Sequence, residues 1–261
     1  MARFIWLSDL HYLAEGLVQG HDPRVRLQAA ISLINAHYSD AGFVVISGDM
    51  VETPTAANYA ALARELSQLS IPYLPLPGNH DDRALMARHL LLPDTVMDGF
   101  VQYEVAFDGA RLVCLDTLKP GSDAGELCEA RRDWLRNRLA HRVTPTLLFM
   151  HHPPMPLGLP MLDPDRLEDG DSLLTLLETS GGIDFIGTGH VHRHIYGTHR
   201  GMGFATLGSV LYQAPPPDPP WTWAGFKPSG EPPRMACVTV EGGVQVSLID
   251  ICPYAQGGPT A

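Results

Sequence analysis

The chain is poor in cysteine, poor in basic residues and devoid of long apolar runs. Its four cysteines are Cys114, Cys128, Cys237 and Cys252. They show neither CxxC nor zinc-ribbon spacing, the signatures of a thiolate metal site or redox pair. Cys114 lies in the apolar run 111–116 and reads as a core thiol. Cys237 and Cys252 fall in two late strand-like runs, and pairing is not expected in a reducing compartment. No segment approaches the ~18–20 apolar residues of a membrane span. The opening Met1–Asp9 is too short for a signal h-region and has no cleavage site, so a cytoplasmic protein with no membrane partner is expected. Lys and Arg number 18 against 29 Asp and Glu, a net charge of −11. That balance lacks the basic track needed to displace counterions from a long nucleic acid. It leaves room for a small phosphorylated substrate held at a local positive site. The 25 Gly and 23 Pro are scattered without a period, which excludes collagen-like and low-complexity classes. At 45% hydrophobic over 261 residues, the chain can build one large core.

Short β-rich runs alternate with amphipathic segments. Strands are predicted at 4–7, 43–47, 73–76, 112–115, 146–150 and 184–187, and helices at 23–38, 56–69, 82–91, 129–139 and 171–178. In the first helix Leu27, Ile31 and Ile34 share a face, and Pro23 suits the first turn. Three late runs, 204–211, 235–240 and 244–251, read as antiparallel strands, the last two joined by a turn at Glu241-Gly242-Gly243. Between them, 214–223 is too rich in proline for regular structure. Its Trp221 and Trp223 fit a substrate lid, a subunit contact or a covering loop equally. The irregular stretch 157–171 reads as a functional rim or a subunit contact.

Five short motifs fall at predicted strand ends or just after them: Asp9-Leu10-His11, Gly48-Asp49, Gly78-Asn79-His80, His151-His152 and Gly189-His190-Val191-His192. Open α/β sheets place ligands at those ends. In extended backbone, Asp9/His11 and His190/His192 would each share a face, ~6–7 Å apart, a separation that serves two adjacent metal ions better than one. Carboxylate, imidazole and amide oxygen without thiolate suit Mn, Fe, Zn or Co. The glycines before Asp49, Asn79 and His190 let the backbone turn sharply and approach the site.

These motifs, in this order, resemble the calcineurin-like metallophosphoesterase superfamily over residues 3 to about 210. The segment Asn79-His80-Asp81-Asp82 and the turn His151-His152-Pro153-Pro154 are similar to class III cyclic nucleotide phosphodiesterases and bacterial glycerophosphodiesterases. The resemblance implies an α/β fold, a four-layer αββα sandwich of two mixed sheets. Residues 1–210 would form the catalytic core, and 211–261 a Pro-rich loop and C-terminal strands completing the sheet. It also implies a dinuclear site with two divalent ions per chain, Mn or Fe favoured. Asp9, His11, Asp49 and His192 would hold one ion. Asp49, Asn79, His151 and His190 would hold the other, with Asp49 bridging. A metal-bound hydroxide would attack phosphorus. His80 would contact the phosphoryl oxygen or protonate the leaving alkoxide, so Asn79 and His80 are also the substrate-binding residues expected. Two such ions against Asp9 and Asp49 leave about +2 in the cleft, which attracts a diester anion despite the acidic molecule.

Departures from the pattern narrow the substrate. Asp49 is followed by Met50-Val51-Glu52 and His80 by Asp81, unlike the corresponding segments of protein phosphatases. Purple acid phosphatases place a tyrosine ligand where Glu52 stands. The resemblance implies a phosphodiesterase of small diesters, cAMP first, with glycerophosphodiesters or promiscuous diester and phosphonate monoester hydrolysis as the alternative, and a homo-oligomer. A metal-free protein-binding scaffold is the alternative of a different class; such scaffolds lose ligands, and this chain has the set. The remaining histidines read as surface, capping or structural. Among them, His152 reads as support for the site, His21 as lying beside a helix cap or facing substrate, and His194 as solvated.

Overall fold

The computed structural model describes residues 2–141, 145–181 and 183–251. The elements run β1 (Ala2–Leu7), α1 (Pro23–His37), β2 (Val44–Ser47), α2 (Ala56–Leu66), β3 (Tyr73–Leu76), α3 (Arg83–His89), β4 (Tyr103–Phe107), β5 (Ala110–Cys114), α4 (Glu129–Leu139), β6 (Thr146–Met150), α5 (Gly170–Thr179), β7 (Phe185–Thr188), β8 (Ile195–His199), β9 (Met202–Thr206), β10 (Arg234–Val240) and β11 (Val244–Asp250). They form a five-stranded sheet, β11-β10-β1-β2-β3, and a six-stranded sheet, β4-β5-β6-β7-β9-β8. Both are mixed: β1-β2-β3 and β5-β6-β7-β9 run parallel, and the outer strands antiparallel. The α/β architecture of two mixed sheets agrees with expectation.

The strand alternation explains the layering. On the second sheet Leu112, Cys114, Leu147, Phe149 and Phe185 join the large core shared with the first sheet. The intervening Val113, Leu148, Met150 and Ile186 pack with Leu135 and Leu139 of α4 and Leu173, Leu174 and Leu177 of α5. Between the sheets, Trp6 meets Phe149 edge-to-face at 5.0 Å, and Phe4 meets Phe107 and Phe149 at 5.6 and 5.8 Å. Cys114 is fully buried there, the core thiol expected. Helix starts follow capping chemistry: Asp22, Thr55 and Asp82 each accept a first-turn N–H, and Pro23 occupies the first turn of α1.

The late segment departs from expectation. The strand predicted at 204–211 ends at Thr206 and pairs parallel with β7. Its antiparallel partner is β8, which polar Gly197, Thr198 and His199 concealed from the hydrophobic pattern. β4, at the opposite edge, was also unpredicted. Residues 207–211 turn back toward the first motif, where Val210 N–H donates to Ser8 O at 3.0 Å and Ser209 Oγ to Asp9 O at 2.8 Å. The expected late hairpin is present: β10 pairs with β1 and β11 pairs antiparallel with β10, so the C-terminal strands extend the first sheet and β11 forms its edge. Cys252 lies outside the described residues, and so does any pairing with Cys237. No helix among the described residues is long and apolar enough to cross a membrane.

Candidate metal centre

The ends of β1, β2, β3, β6 and β7 meet at one edge of the sandwich, and backbone hydrogen bonds stitch their loops together. Asp9 N–H donates to Gly48 O at 3.1 Å, His11 N–H to Asp49 O at 2.9 Å and Gly189 N–H to His151 O at 3.0 Å. His190 N–H donates to Asp9 Oδ1 and His80 N–H to Asp49 Oδ1, both at 3.0 Å.

Five residues here are non-glycine residues in the left-handed region: Asp9 (φ 54°), His11 (43°), Asp49 (51°), His190 (73°) and His192 (48°). Such backbone is unfavourable for a residue with a Cβ and gathers at functional sites. It also corrects the spacing argument. Asp9 and His11 do not lie on extended chain, and they join one group with Asp49 and His192 whose donor atoms lie within 4.8 Å of one another. His190 belongs to a second group, with His151 and His152. Of the three glycines, only Gly48 is required by its positive φ, 102°. Gly78 and Gly189 are required by space: a Cβ would come within 2.2 Å of Asp49 Oδ1 or 2.0 Å of Ser8 Oγ.

The imidazoles are oriented from behind. Glu52 Oε2 accepts from His11 Nδ1 at 2.7 Å, Tyr212 O from His192 Nδ1 at 3.1 Å and Ser47 O from His151 Nδ1 at 2.8 Å. Each ring, donating from Nδ1, therefore turns its Nε2 inward. His11 Nε2 and His192 Nε2 face each other at 2.9 Å. His11 Nε2 and His151 Nε2 each stand 3.4 Å from Asp49 Oδ2, and His192 Nε2 stands 3.5 Å from Asp9 Oδ1. Asn79 Oδ1 lies 3.2 Å from His151 Nε2 and 3.1 Å from His190 Nδ1. Asp9, His11, Asp49, His151 and His192 are buried; Asn79, His80 and His190 are partly exposed. This nest of lone pairs, held by outer hydrogen bonds, is the arrangement a divalent cation requires.

Charge is concentrated at Asp49. Burial would raise its carboxyl, yet His151, His11 and His80 hold it well below the usual carboxylate range. Burial opposes a charged His151, but Asp49 raises that imidazole to about 9. Burial and His151 push His190 down to about 3, and burial and His11 depress His192.

The structure thus brings all eight predicted residues to one place: Asp9, His11, Asp49, Asn79, His80, His151, His190 and His192. His80 Nδ1 donates to Glu52 O at 2.9 Å. His152 uses both ring nitrogens, Nδ1 with Thr117 Oγ1 at 2.8 Å and Nε2 with Asp123 O at 3.1 Å, so its hydrogen bonding is complete without an ion. His194, expected to be solvated, is half-buried and bonds Thr206 O at 2.8 Å. His21 stacks on Tyr212 at 6.2 Å.

Several supporting residues carried little sequence signal. Glu52 follows Asp49 by three positions, the one available clue. Buried Asp81 ties two loops, accepting from Met50 N–H, Gly78 N–H and Tyr59 Oη at 2.7–3.0 Å. Burial and Asp49 raise its carboxyl to about 6. Tyr212 belongs to no motif, yet its ring lies 4.6 Å from that of His192. A cavity of about 450 Å³ opens over the site. Besides His11, Asp49, Asn79, His80, His190 and His192, its walls include Tyr212, Trp223, Phe226, Asp123 and Asp165, with no Lys or Arg among the described residues.

Comparison with known proteins accords with this geometry. The calcineurin-like phosphoesterase family profile matches residues 2–194. A probable cyclic nucleotide phosphodiesterase of Rhodopseudomonas palustris is 35% identical, covering 98% of this chain and 94% of its own. A glycerophosphodiester phosphodiesterase of Enterobacter lignolyticus is 32% identical over 80% of this chain and 77% of its own. Among solved structures, a dimetal phosphatase from Danio rerio shares the fold with a TM-score of 0.70 at 16% identity, covering 95% of this chain and 98% of its own.

Proposed function

This chain belongs to the calcineurin-like phosphoesterase family and is a phosphodiester hydrolase, and from that premise we propose that it cleaves 3′,5′-cyclic nucleotides, cAMP first. In this reading Asp9, His11, Asp49 and His192 hold one divalent ion, and Asp49, Asn79, His151 and His190 a second. The observation that carries the metal assignment is the pair of facing Nε2 atoms at 2.9 Å, whose Nδ1 atoms are already engaged by Glu52 and Tyr212 O. Two ring nitrogens so opposed need a proton or a cation between or beside them. The mixed N/O donor set suits Mn, Fe, Zn or Co, and the family resemblance favours Mn or Fe.

Such ions supply Lewis acidity at the phosphoryl oxygens and lower the pKa of the attacking water. The chain's own residues do the rest. Buried Asp49 offsets positive charge between the two groups. His80, held by Nδ1 on Glu52 O, presents Nε2 as the proton donor to the leaving alkoxide. Asn79 and His80 flank the substrate phosphoryl group. A cavity without Lys or Arg, containing Asp123 and Asp165, favours a diester monoanion over a monoester dianion. Residues 1–210 serve as the catalytic core, and the segment beyond roofs the cavity and completes the first sheet.

A second reading, glycerophosphodiester hydrolysis, draws support from the 32% identical relative. A Mn²⁺-supplemented assay of bis-p-nitrophenyl phosphate, p-nitrophenyl phosphate, cAMP and glycerophosphoethanolamine tests both. The expected result is diester over monoester turnover, with cAMP ahead of glycerophosphoethanolamine. Monoester preference would overturn the substrate proposal. The reverse order of the last two would transfer it to glycerophosphodiesters.

A further inference from the structure

The Pro-rich loop after Tyr212 has a more specific task than covering the site. Six of the fifteen residues at 214–228 are proline, which restricts φ and limits the conformations the loop can sample. Both ends are fastened. Gln213 and Ser229 form an antiparallel bridge, Arg193 Nη1 donates to Ala214 O, and Arg193 ion-pairs with Glu231 at 3.0 Å.

The loop's two tryptophans are placed differently. Trp221 is half-buried against the satellite cluster containing Leu159, Leu162 and Ala214, where it anchors the loop to the opposite rim. Trp223 stays 53% exposed and lines the cavity over the metal-site residues. Its ring is braced from behind by Trp221 at 5.3 Å and Phe226 at 5.7 Å, and Phe226 in turn stands 6.0 Å from Tyr212. A large, half-exposed aromatic held on a stiff, doubly anchored loop beside the candidate metal site is a preorganised surface.

We infer that Trp223 is the stacking platform for the heteroaromatic base of a nucleoside phosphodiester, and so determines which diesters this enzyme prefers. The inference rests on the phosphodiesterase reading above and names the arm of the substrate that reading leaves undefined. Two features favour a base: its flat ring over a glycerol or acyl arm, and its donors over an acyl arm. A flat base matches an indole face, and stacking of this kind is insensitive to base identity. Asp123 and Asp165, which also line the cavity, offer carboxylate acceptors. A nucleoside brings the N–H and O–H donors they require; an acyl chain brings none.

The test compares wild type, Trp223→Ala and Trp223→Phe with cAMP and glycerophosphoethanolamine as substrates and Mn²⁺ present. A tryptophan-fluorescence titration with cAMP in EDTA reads binding without turnover. The ratio of KM for cAMP to KM for glycerophosphoethanolamine should rise about tenfold in Trp223→Ala, within what one stacked base supplies. Trp223→Phe should restore most of it. Saturable quenching should be present in wild type and reduced in Trp223→Phe, where Trp221 is the nearby fluorophore that remains. Equal KM changes for both substrates, or quenching of unchanged amplitude in Trp223→Phe, would overturn the platform. Glycerophosphoethanolamine turnover by wild type with neither cAMP turnover nor quenching would overturn both the platform and the cyclic nucleotide substrate, leaving the phosphodiesterase intact. Saturable Trp223-dependent quenching without turnover of any diester would instead uphold the platform and remove the proposed reaction.

Discussion

His11 and His192, 181 residues apart in the chain, point their Nε2 atoms at each other across 2.9 Å. Each is held there by a hydrogen bond at its far nitrogen, from His11 Nδ1 to Glu52 and from His192 Nδ1 to Tyr212 O. Two acceptors so opposed repel unless a proton or a cation lies between or beside them. The geometry therefore couples this site's stability to what it binds.

The first prediction concerns that coupling. Adding Mn²⁺ to chelator-treated protein should raise Tm, because a ligand bound at about a hundredfold excess over Kd stabilises the native state by about 2.7 kcal/mol. His192→Ala should abolish most of that rise. Differential scanning fluorimetry reads it, and an identical Tm rise in the variant would remove His192 from the site.

Asn79→Ala should cut diester turnover by at least ~10²-fold, the scale on which metal-site partners act, while circular dichroism stays native. Asn79 Oδ1 is the acceptor placed between His151 and His190. An unchanged kcat would refute its role.

His80→Ala should retain two metals per chain by elemental analysis but lower kcat by ~10²–10⁴. Loss of metal would make His80 a ligand instead of the acid. Its Nδ1 is spent on Glu52 O, so Nε2 carries the prediction.

Gly78→Ala places a methyl group 2.2 Å from Asp49 Oδ1 and 2.4 Å from Asp49 N. Asp49 must shift, so Mn²⁺ affinity measured by calorimetry should fall at least ~10-fold. Gly109→Ala, in open space but at φ 80°, controls for general strain; equal metal loss in both variants would dissociate Gly78 from the site.

Tyr59→Phe deprives buried Asp81 of the hydroxyl donor at 2.7 Å. Leaving a buried acceptor one donor short costs about 1–3 kcal/mol, and urea unfolding should show it. No change in the midpoint would mean that Met50 and Gly78 N–H suffice to hold the carboxylate.

The site was legible in the sequence because its residues are short motifs at strand ends, where a carboxylate or imidazole directly after an apolar run is costly to bury unless it has a partner to bind. Gly48-Asp49 and Gly78-Asn79-His80 announce themselves by interrupting hydrophobic runs, and helix starts announce themselves by caps such as Asp22 and Thr55. Edge strands were harder to read. β8 carries Gly197, Thr198 and His199 with little side-chain burial, so its strand character comes from pairing with β9 and not from periodicity.

Sequence alone determined the residue types, their order and hence the family chemistry, since coordination depends on which donor atoms are present. Tertiary structure decided how those donors are grouped. Asp9 and His11 share one group because left-handed backbone at both, with hydrogen bonds to Gly48 O and Asp49 O, overrides the extended spacing. It also decided which supports matter. Tyr212 and Trp223 lie outside every motif, and only the packing of distant loops brings them to the cleft, because contacts between residues far apart in the chain leave no local pattern in it.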